Sequence, residues 1–382
     1  MNRHLLTIGK YLLVLFLFTI TSASTPKTTQ LKKVVAAADE QTDWHNLRRL
    51  KINGQGWKDL EHPYDRLPGR IKSEIPGAVW NLSHNSAGLN VRFTSNTQRI
   101  RVKWYLRYDN NLSHMAATAV KGVDLYVKGP KGWAWAGVGK PANKANEKIK
   151  INDELLVSNM TAGAKDFLLY LPLYDGVDSV FIGVDKGATF APVPEENLKK
   201  IVFYGTSITQ GACATRAGMA YPAILGRTLN RETINLGFSG NGKLDLPLAR
   251  LLAEVDAGLY VLDCLPNLQP EDVTPKTEAF VKELRNRKPG TPILLVENIL
   301  YDHAWIDTRV GKLVKDKNIN LQVAYKNLKA AGIKDLYYLE NKNLTGPDGE
   351  NTVDGVHLTD LGFSRLADGM AKAISKIQKK YK

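Results

Sequence analysis

Apolar and polar positions alternate in short runs from about residue 44 to residue 188. "GLNVRFTS" (88–95) and "QRIRVKWYLRY" (98–108) place every second residue on one apolar face, the period of a half-buried strand. "GVDLYVKG" (122–129), "GWAWAGVG" (132–139), "DFLLYLPLYDG" (166–176) and "DSVFIGVDKG" (178–187) follow with glycine-rich punctuation. No long helical period appears among them. Short strands separated by turns predict an all-β sandwich or jelly roll over residues 42–190.

The texture changes at "APVPEENLKK" (191–200), which reads as a linker. Beyond it, apolar runs at 201–204, 233–238, 258–265, 292–297 and 334–339 alternate with helical stretches. The last helix carries Leu366, Met370, Ile374 and Ile377 on one face. Strands alternating with helices predict an α/β domain over residues 198–380, a parallel sheet with helices on both faces. Sites in such sheets lie at the carboxyl ends of the strands. Ser207 stands there, after the run Ile201-Val202-Phe203-Tyr204 and the turn Gly205-Thr206.

Length fits this division, because 382 residues suffice for two domains of about 100–200 residues each. The formal net charge of +14 raises the question of nucleic acid. Its basic residues are scattered in twos and threes, with no long basic run or RNP-like aromatic pattern, so a nucleic-acid partner is not expected. Residues 1–24 have Arg3 and Lys10, an apolar core at 11–20, and then Ser22, Ala23 and Ser24. This is the layout of a signal peptide, and it predicts an exported periplasmic or extracellular protein with no stable membrane span after cleavage. The two cysteines, Cys213 and Cys264, are open to two readings, a disulfide or two buried thiols.

A serine needs a base to take its proton, a carboxylate to orient that base, and donors for the oxyanion. "NTVDGVHLTDLG" supplies Asp354 three residues before His357, just ahead of the last helix, so one turn can present both. "NLGFSGNG" offers the backbone N–H of Gly240 after the second strand of this half. "DCLPNLQP" offers the side-chain amide of Asn267 after the third. Taken singly, a loop histidine, a glycine turn or a loop asparagine is an ordinary structural feature. Together they form an acyl-transfer set.

These four places resemble the sequence blocks of the SGNH hydrolases, the GDSL-like lipase/acylhydrolase superfamily. The matching residues are Ser207 in "YGTSITQG", Gly240 in "NLGFSG", Asn267 in "LPNL" and His357 in "DGVHLTDLG". Two departures stand out. Gly205-Thr206-Ser207 replaces the usual Gly-Asp-Ser, and Leu265-Pro266-Asn267-Leu268 replaces Gly-x-Asn-Asp. In the N-terminal half, "GVDLY" (122–126) resembles the signature of the GxDLY domain that precedes a subset of secreted SGNH proteins. "YDRLP", "WNLSHNSAGLNVRF" and "YLPLYDGV" are similar in style to that group.

The resemblance implies a flavodoxin-like sheet, order 2-1-3-4-5, and a serine esterase. The expected triad is Ser207, His357 and Asp354, with an oxyanion hole of Ser207, Gly240 and Asn267 and no metal or cofactor. The expected substrates are small acyl esters, acetyl above all, on carbohydrate. The alternatives are a non-catalytic carbohydrate-binding protein on a hydrolase scaffold, or a broader acyl-ester hydrolase or lipase. In that strand order the strands ahead of Cys213 and Cys264 are neighbours, which makes a disulfide pinning the nucleophile loop an expectation. Arg216, Glu297 and His303 are candidate substrate contacts, each with an ordinary structural reading beside it. Trp133 and Trp135 alternate with alanine and face one way, toward either a packed core or a sugar ring.

Overall fold

The alternating segments of the N-terminal half form antiparallel strands. In the computed structural model these are β1 (Thr42–Asn46), β2 (Asn90–Ser95), β3 (Ile100–Leu106), β4 (Val123–Gly129), β5 (Gly132–Gly139), β6 (Ile151–Val157), β7 (Lys165–Tyr170), β8 (Val177–Asp185) and β9 (Phe190–Pro192). Two short helices interrupt them, α1 (Gly77–Ser83) and α2 (Ala117–Val120). The structure describes residues 40–142, 147–194, 198–342 and 344–381, so the expected signal segment 1–24 lies outside the described residues.

The strands assemble into two sheets, β1-β8-β3-β6 and β5-β4-β7-β2-β9. Both contribute to one apolar core. Val102, Trp104, Val180 and Ile182 of the first sheet meet Val91, Phe93, Leu125 and Phe167 of the second, all buried. Strands β1, β6 and β9 were not among the segments that alternation predicts. In β6 (INDELLV) only Asn152 and Leu156 are buried, so the pattern carries little apolar signal.

The C-terminal half follows as β10 (Lys200–Gly205), α3 (Ser207–Gln210), α4 (Tyr221–Leu229), β11 (Thr233–Gly237), α5 (Leu246–Leu252), β12 (Ala257–Asp263), α6 (Pro270–Arg287), β13 (Ile293–Val296), α7 (Thr308–Ala330), β14 (Leu336–Leu339) and α8 (Asp360–Gln378). Its five strands are parallel, in the order β11-β10-β12-β13-β14. This is the 2-1-3-4-5 order expected.

The apolar run at 201–204 is continuous because both faces of the sheet are covered. Ile201 and Phe203 point into a core shared with α4 and α8. Val202 and Tyr204 point to the opposite core, with α5, α6 and the α7 residues Leu321 and Leu328. Burying each such side chain stabilises the fold by roughly 1.5–3 kcal/mol before entropy is counted. Tyr126, Leu168 and Tyr170 of the antiparallel half lie in the same core as α4 and α8. Packing at this face therefore brings the antiparallel strands up to the loops above β10.

Helix α8 starts where the chain needs a fixed point. Thr359 caps it, its hydroxyl accepting from the Gly362 N–H at 3.2 Å. Leu366, Met370, Ile374 and Ile377 are all buried, as their spacing predicts. The cap sits two residues after His357, so the helix anchors the loop that carries it. Among the described residues no helix is long and apolar enough to cross a membrane.

Candidate active site

Strand β10 ends at Gly205, and the chain turns at once into α3. Thr206 caps that short turn, its hydroxyl accepting from the Ile208 N–H at 3.3 Å. Ser207 is the first residue of the turn, at the carboxyl end of a central strand. A threonine thus does the capping at the position where the usual motif has aspartate.

His357 Nε2 lies 2.9 Å from Ser207 Oγ. On the other side of the ring, Nδ1 lies 2.7 Å from Asp354 Oδ2. The other carboxylate oxygen accepts from the backbone N–H groups of His357 at 2.8 Å and Val356 at 3.1 Å. Burial alone raises the Asp354 carboxyl. The hydrogen bonds from the His357 backbone and ring and from Val356 outweigh it and hold the group below its ordinary value. An ionised carboxylate only accepts, so His357 Nδ1 carries the proton and Nε2 presents its lone pair to Ser207.

The loop bearing Asp354 and His357 is braced from outside. Thr352 and Leu358 form a bridge, and the Val353 N–H donates to the His357 carbonyl at 2.8 Å. The Asp302 carboxylate, in the 3-10 turn Asp302–Trp305, accepts from the N–H groups of Asn351 (2.8 Å) and Thr352 (2.7 Å).

The opposite wall is the loop after β11. Here Gly242, not Gly240, is the tight position: a Cβ on Gly242 would fall 1.9 Å from the Gly205 carbonyl oxygen. Only glycine lets this loop lie against the turn that carries Ser207. Gly240 is exposed, at φ +70°, with nothing within 4 Å of where a Cβ would be. Asn267 sits in the turn Leu265–Asn267. Its amide is best satisfied with the oxygen accepting from Asn241 N at 3.0 Å and Gly242 N at 3.1 Å, which turns Nδ2 away from those donors.

Two residues of the antiparallel half reach this site, and sequence reasoning missed both roles. Arg66, in "YDRLP", is buried and donates to the carbonyls of Gly237 (2.8 Å), Asn235 (3.1 Å) and Leu82 (2.6 Å). It thereby holds the end of β11 where the loop begins. Burial lowers its guanidinium to about 9. His114 is exposed beside the catalytic candidates, its ring 5.6 Å from that of His357, and its carbonyl accepts from Cys213 Sγ at 3.2 Å.

The GxDLY-like segment is also placed. Asp124 Oδ2 accepts from Arg216 Nη1 at 2.9 Å and from the Gly218 N–H at 2.8 Å, while Oδ1 accepts from Trp135 Nε1 at 3.0 Å. The Tyr126 hydroxyl also bonds Arg216. The segment therefore grips the loop that follows Ser207.

Comparison with known proteins shows the family of the chain. The profile of the GDSL-like Lipase/Acylhydrolase family matches residues 198–375, and that of the N-terminus of Esterase_SGNH_hydro-type matches residues 42–190. A crystal structure from Bacteroides ovatus ATCC 8483, assigned as a GDSL-like lipase, is 37% identical, with a TM-score of 0.83. The alignment covers 88% of this chain and 98% of that one. The chain belongs to the GDSL-like lipase/acylhydrolase family.

As a member of that family it is an ester hydrolase. Two more distant structures share its fold. The salicylyl-acyltransferase SsfX3 from a tetracycline biosynthetic pathway is 17% identical, covering 88% of this chain and 98% of its own, with a TM-score of 0.69. A family two carbohydrate esterase from Clostridium thermocellum is 14% identical, covering 76% and 92%, with a TM-score of 0.51. No curated protein sequence matches the chain.

The expected disulfide of this GDSL-like hydrolase is corrected by the structure, and the other candidate residues are placed by it. Cys213 and Cys264 are both unpaired and buried. Their strands are neighbours, but Cys264 lies in the α5/α6 core with Sγ on the Tyr204 carbonyl at 3.5 Å, whereas Cys213 faces His114 above the opposite side. Arg216 does not await an acidic substrate group, because its charge is matched by Asp124 and its guanidinium lies over the rings of Tyr126 and Trp135. Glu297 is buried, its carboxylate accepting from the Tyr338 hydroxyl at 2.5 Å and Asn341 N at 2.8 Å. His303 lies against Gly355, between Asp354 and His357 in the chain, and stacks on Tyr301. Trp133 is half-buried against the core and Trp135 is half-exposed, held by its bond to Asp124.

Proposed function

We propose that this protein is an exported serine esterase that removes small O-acyl groups, acetyl above all, from carbohydrate. The observation that carries the reading is the unbroken hydrogen-bonded chain Ser207–His357–Asp354 at the rim of a parallel sheet. In this reading residues 1–24 are the signal peptide, 42–190 a β-sandwich of jelly-roll type and 198–380 the hydrolase domain.

The chemistry follows from the groups present. As Ser207 Oγ attacks the ester carbonyl, its proton passes to His357 Nε2. Asp354 keeps the ring in the tautomer that can accept it and stabilises the resulting imidazolium. The N–H groups of Ser207 and Gly240 and the Nδ2 amide of Asn267 receive the oxyanion. His357 returns the proton to the leaving alcohol. Water then attacks the acyl-enzyme by the same route and frees Ser207.

Carbohydrate as the carrier is supported by relatives whose names state it. They include the family two carbohydrate esterase and an acetyl xylan esterase (Est2A) from Butyrivibrio proteoclasticus. The test is hydrolysis of p-nitrophenyl esters of increasing acyl length, wild type beside Ser207→Ala, followed by acetate release from acetylated polysaccharides. Activity highest on acetate and absent in Ser207→Ala supports the reading. A rate that rises with chain length replaces it with a lipase. Equal rates in wild type and variant overturn the serine mechanism and leave a carbohydrate-binding protein on a hydrolase scaffold.

A further inference from the structure

Ligand-type atoms of His114, Cys213, Asp354 and His357 lie within 4.8 Å of one another beside Ser207. The hydrolytic steps proposed above use neither His114 nor Cys213. We propose that these four side chains bind a borderline-soft divalent cation, zinc above all, and that its binding switches the esterase off.

The donor set argues for this class of ion. One thiol and two imidazoles favour zinc over magnesium or calcium, which take oxygen ligands. Two nitrogens, one sulfur and one carboxylate oxygen are the kinds of ligand that zinc takes in tetrahedral sites, at about 2.0–2.3 Å each. That geometry separates ligand atoms by roughly 3.3–3.8 Å. The cluster therefore closes by about 1 Å at its widest, within reach of the exposed His114 ring.

Charge balances as well. The thiolate and the Asp354 carboxylate neutralise a 2+ ion, and both imidazoles bind in the neutral form. As the sulfur–metal bond forms, the Cys213 proton leaves to solvent, since a coordinating thiol is deprotonated outright.

The three segments involved come from different parts of the chain: the loop before α2, the loop after α3 and the turn before α8. The thiol is held in place by its bond to the His114 carbonyl and by a left-handed backbone, φ +70°. A metal on the His357 ring takes it out of the chain between Ser207 and Asp354, and the serine proton then has no acceptor. Because the ion competes with the Asp354–His357 hydrogen bond, binding is weaker than at a structural zinc site and a chelator reverses it.

The consequence for activity rests on the esterase reading, whereas the binding itself does not. The experiment uses the full chain as wild type, Cys213→Ser, His114→Ala and Ser207→Ala, titrated with zinc chloride and separately with cobalt(II). Zinc is expected to inhibit p-nitrophenyl acetate hydrolysis reversibly. Cys213→Ser and His114→Ala should each raise the half-inhibitory zinc concentration roughly ten- to hundredfold or more. Cobalt should give a thiolate-to-metal absorption band that Cys213→Ser lacks and Ser207→Ala keeps. Equal zinc sensitivity in wild type and both ligand variants, or no cobalt band, overturns the proposal. A cobalt band in a protein without esterase activity leaves the metal site standing and removes the serine-esterase reading instead.

Discussion

Arg216 Nη1 lies 2.9 Å from Asp124 Oδ2, an ion pair that fastens the loop after Ser207 to strand β4 of the antiparallel half. The Asp124 carboxylate is fully buried, and the same oxygen also holds the Gly218 N–H. The β-rich half thus adds a second hold on a loop that the α/β half also grips, where the Thr215 N–H donates to the Asp360 carboxylate at 2.9 Å. Removing the carboxylate charge leaves the partly exposed Arg216 unmatched and weakens two charge-assisted hydrogen bonds, at a cost of about 1.5–3 kcal/mol. Asp124→Asn is therefore expected to lower the melting temperature and, by loosening the loop, kcat. Thermal unfolding and kcat/KM on the same preparation check this, and an unchanged melting temperature contradicts the fastening role.

In the proposed triad, Asp354→Asn keeps the shape and changes the proton. An asparagine amide donates to Nδ1 or presents a carbonyl in its place, and the carboxylate that stabilised the imidazolium is gone. The expected loss in kcat is about two to four orders of magnitude with little change in KM. A variant within tenfold of wild type would mean that His357 is oriented by its backbone alone.

Asn267→Ala tests the oxyanion side. With the Asn267 oxygen committed to the N–H groups of Asn241 and Gly242, only Nδ2 is free to donate outward. Its loss should cost about 10²–10³ in kcat, with KM changed far less, because the bond strengthens as charge develops. Steady-state kinetics on p-nitrophenyl acetate separate the two parameters, and a pure KM effect would make Asn267 a ground-state contact.

Two glycines two residues apart, Gly240 and Gly242, behave oppositely. Gly242→Ala drives a Cβ to 1.9 Å from the Gly205 carbonyl, so the nucleophile turn must move. Gly240→Ala meets nothing and carries only the strain of φ +70°, about 1–2 kcal/mol. Expected is near-complete loss of activity in Gly242→Ala and a modest loss of stability with activity retained in Gly240→Ala. Circular dichroism melts beside rate measurements distinguish them.

What the sequence made legible was local. The run Ile201–Tyr204 is apolar throughout because α4 and α8 cover one face and α5 and α6 the other, so it reads as a parallel strand without any partner being known. Asp354 and His357 are three residues apart on one turn, and the carboxylate reaches both the ring and the backbone of the same histidine. Pairings across the chain were not legible. Arg66 meets the carbonyl of Gly237, and Cys213 meets that of His114, through packing that no spacing encodes. Strand order brought the cysteines' strands together but did not say which side of the sheet each thiol takes. Glu297 follows strand β13, as a cleft residue would, yet it turns to Tyr338 on β14.

The last prediction concerns Asp263, at the end of β12, the strand beside β10. Its carboxylate accepts from the Tyr221 hydroxyl at 2.9 Å and from Thr209 Oγ1 at 3.3 Å. Burial raises it to about 6, and the two hydroxyls only partly offset that. An unfolded aspartate titrates near 3.9, so between about pH 4 and pH 6 the folded chain holds a proton that the unfolded chain has released. Stability from this group is therefore fully present below about pH 4 and is lost as pH rises through 6. The loss is on the order of 3 kcal/mol. Asp263→Asn is neutral at every pH and keeps an oxygen for Tyr221. The variant is expected to gain on wild type by roughly 2–3 kcal/mol between pH 4.5 and pH 8, read as the change in the difference between their urea unfolding free energies. Parallel stability curves for the two proteins across that range would mean that Asp263 is already ionised at pH 4.5 and that Tyr221 and Thr209 are strong enough to hold the charge.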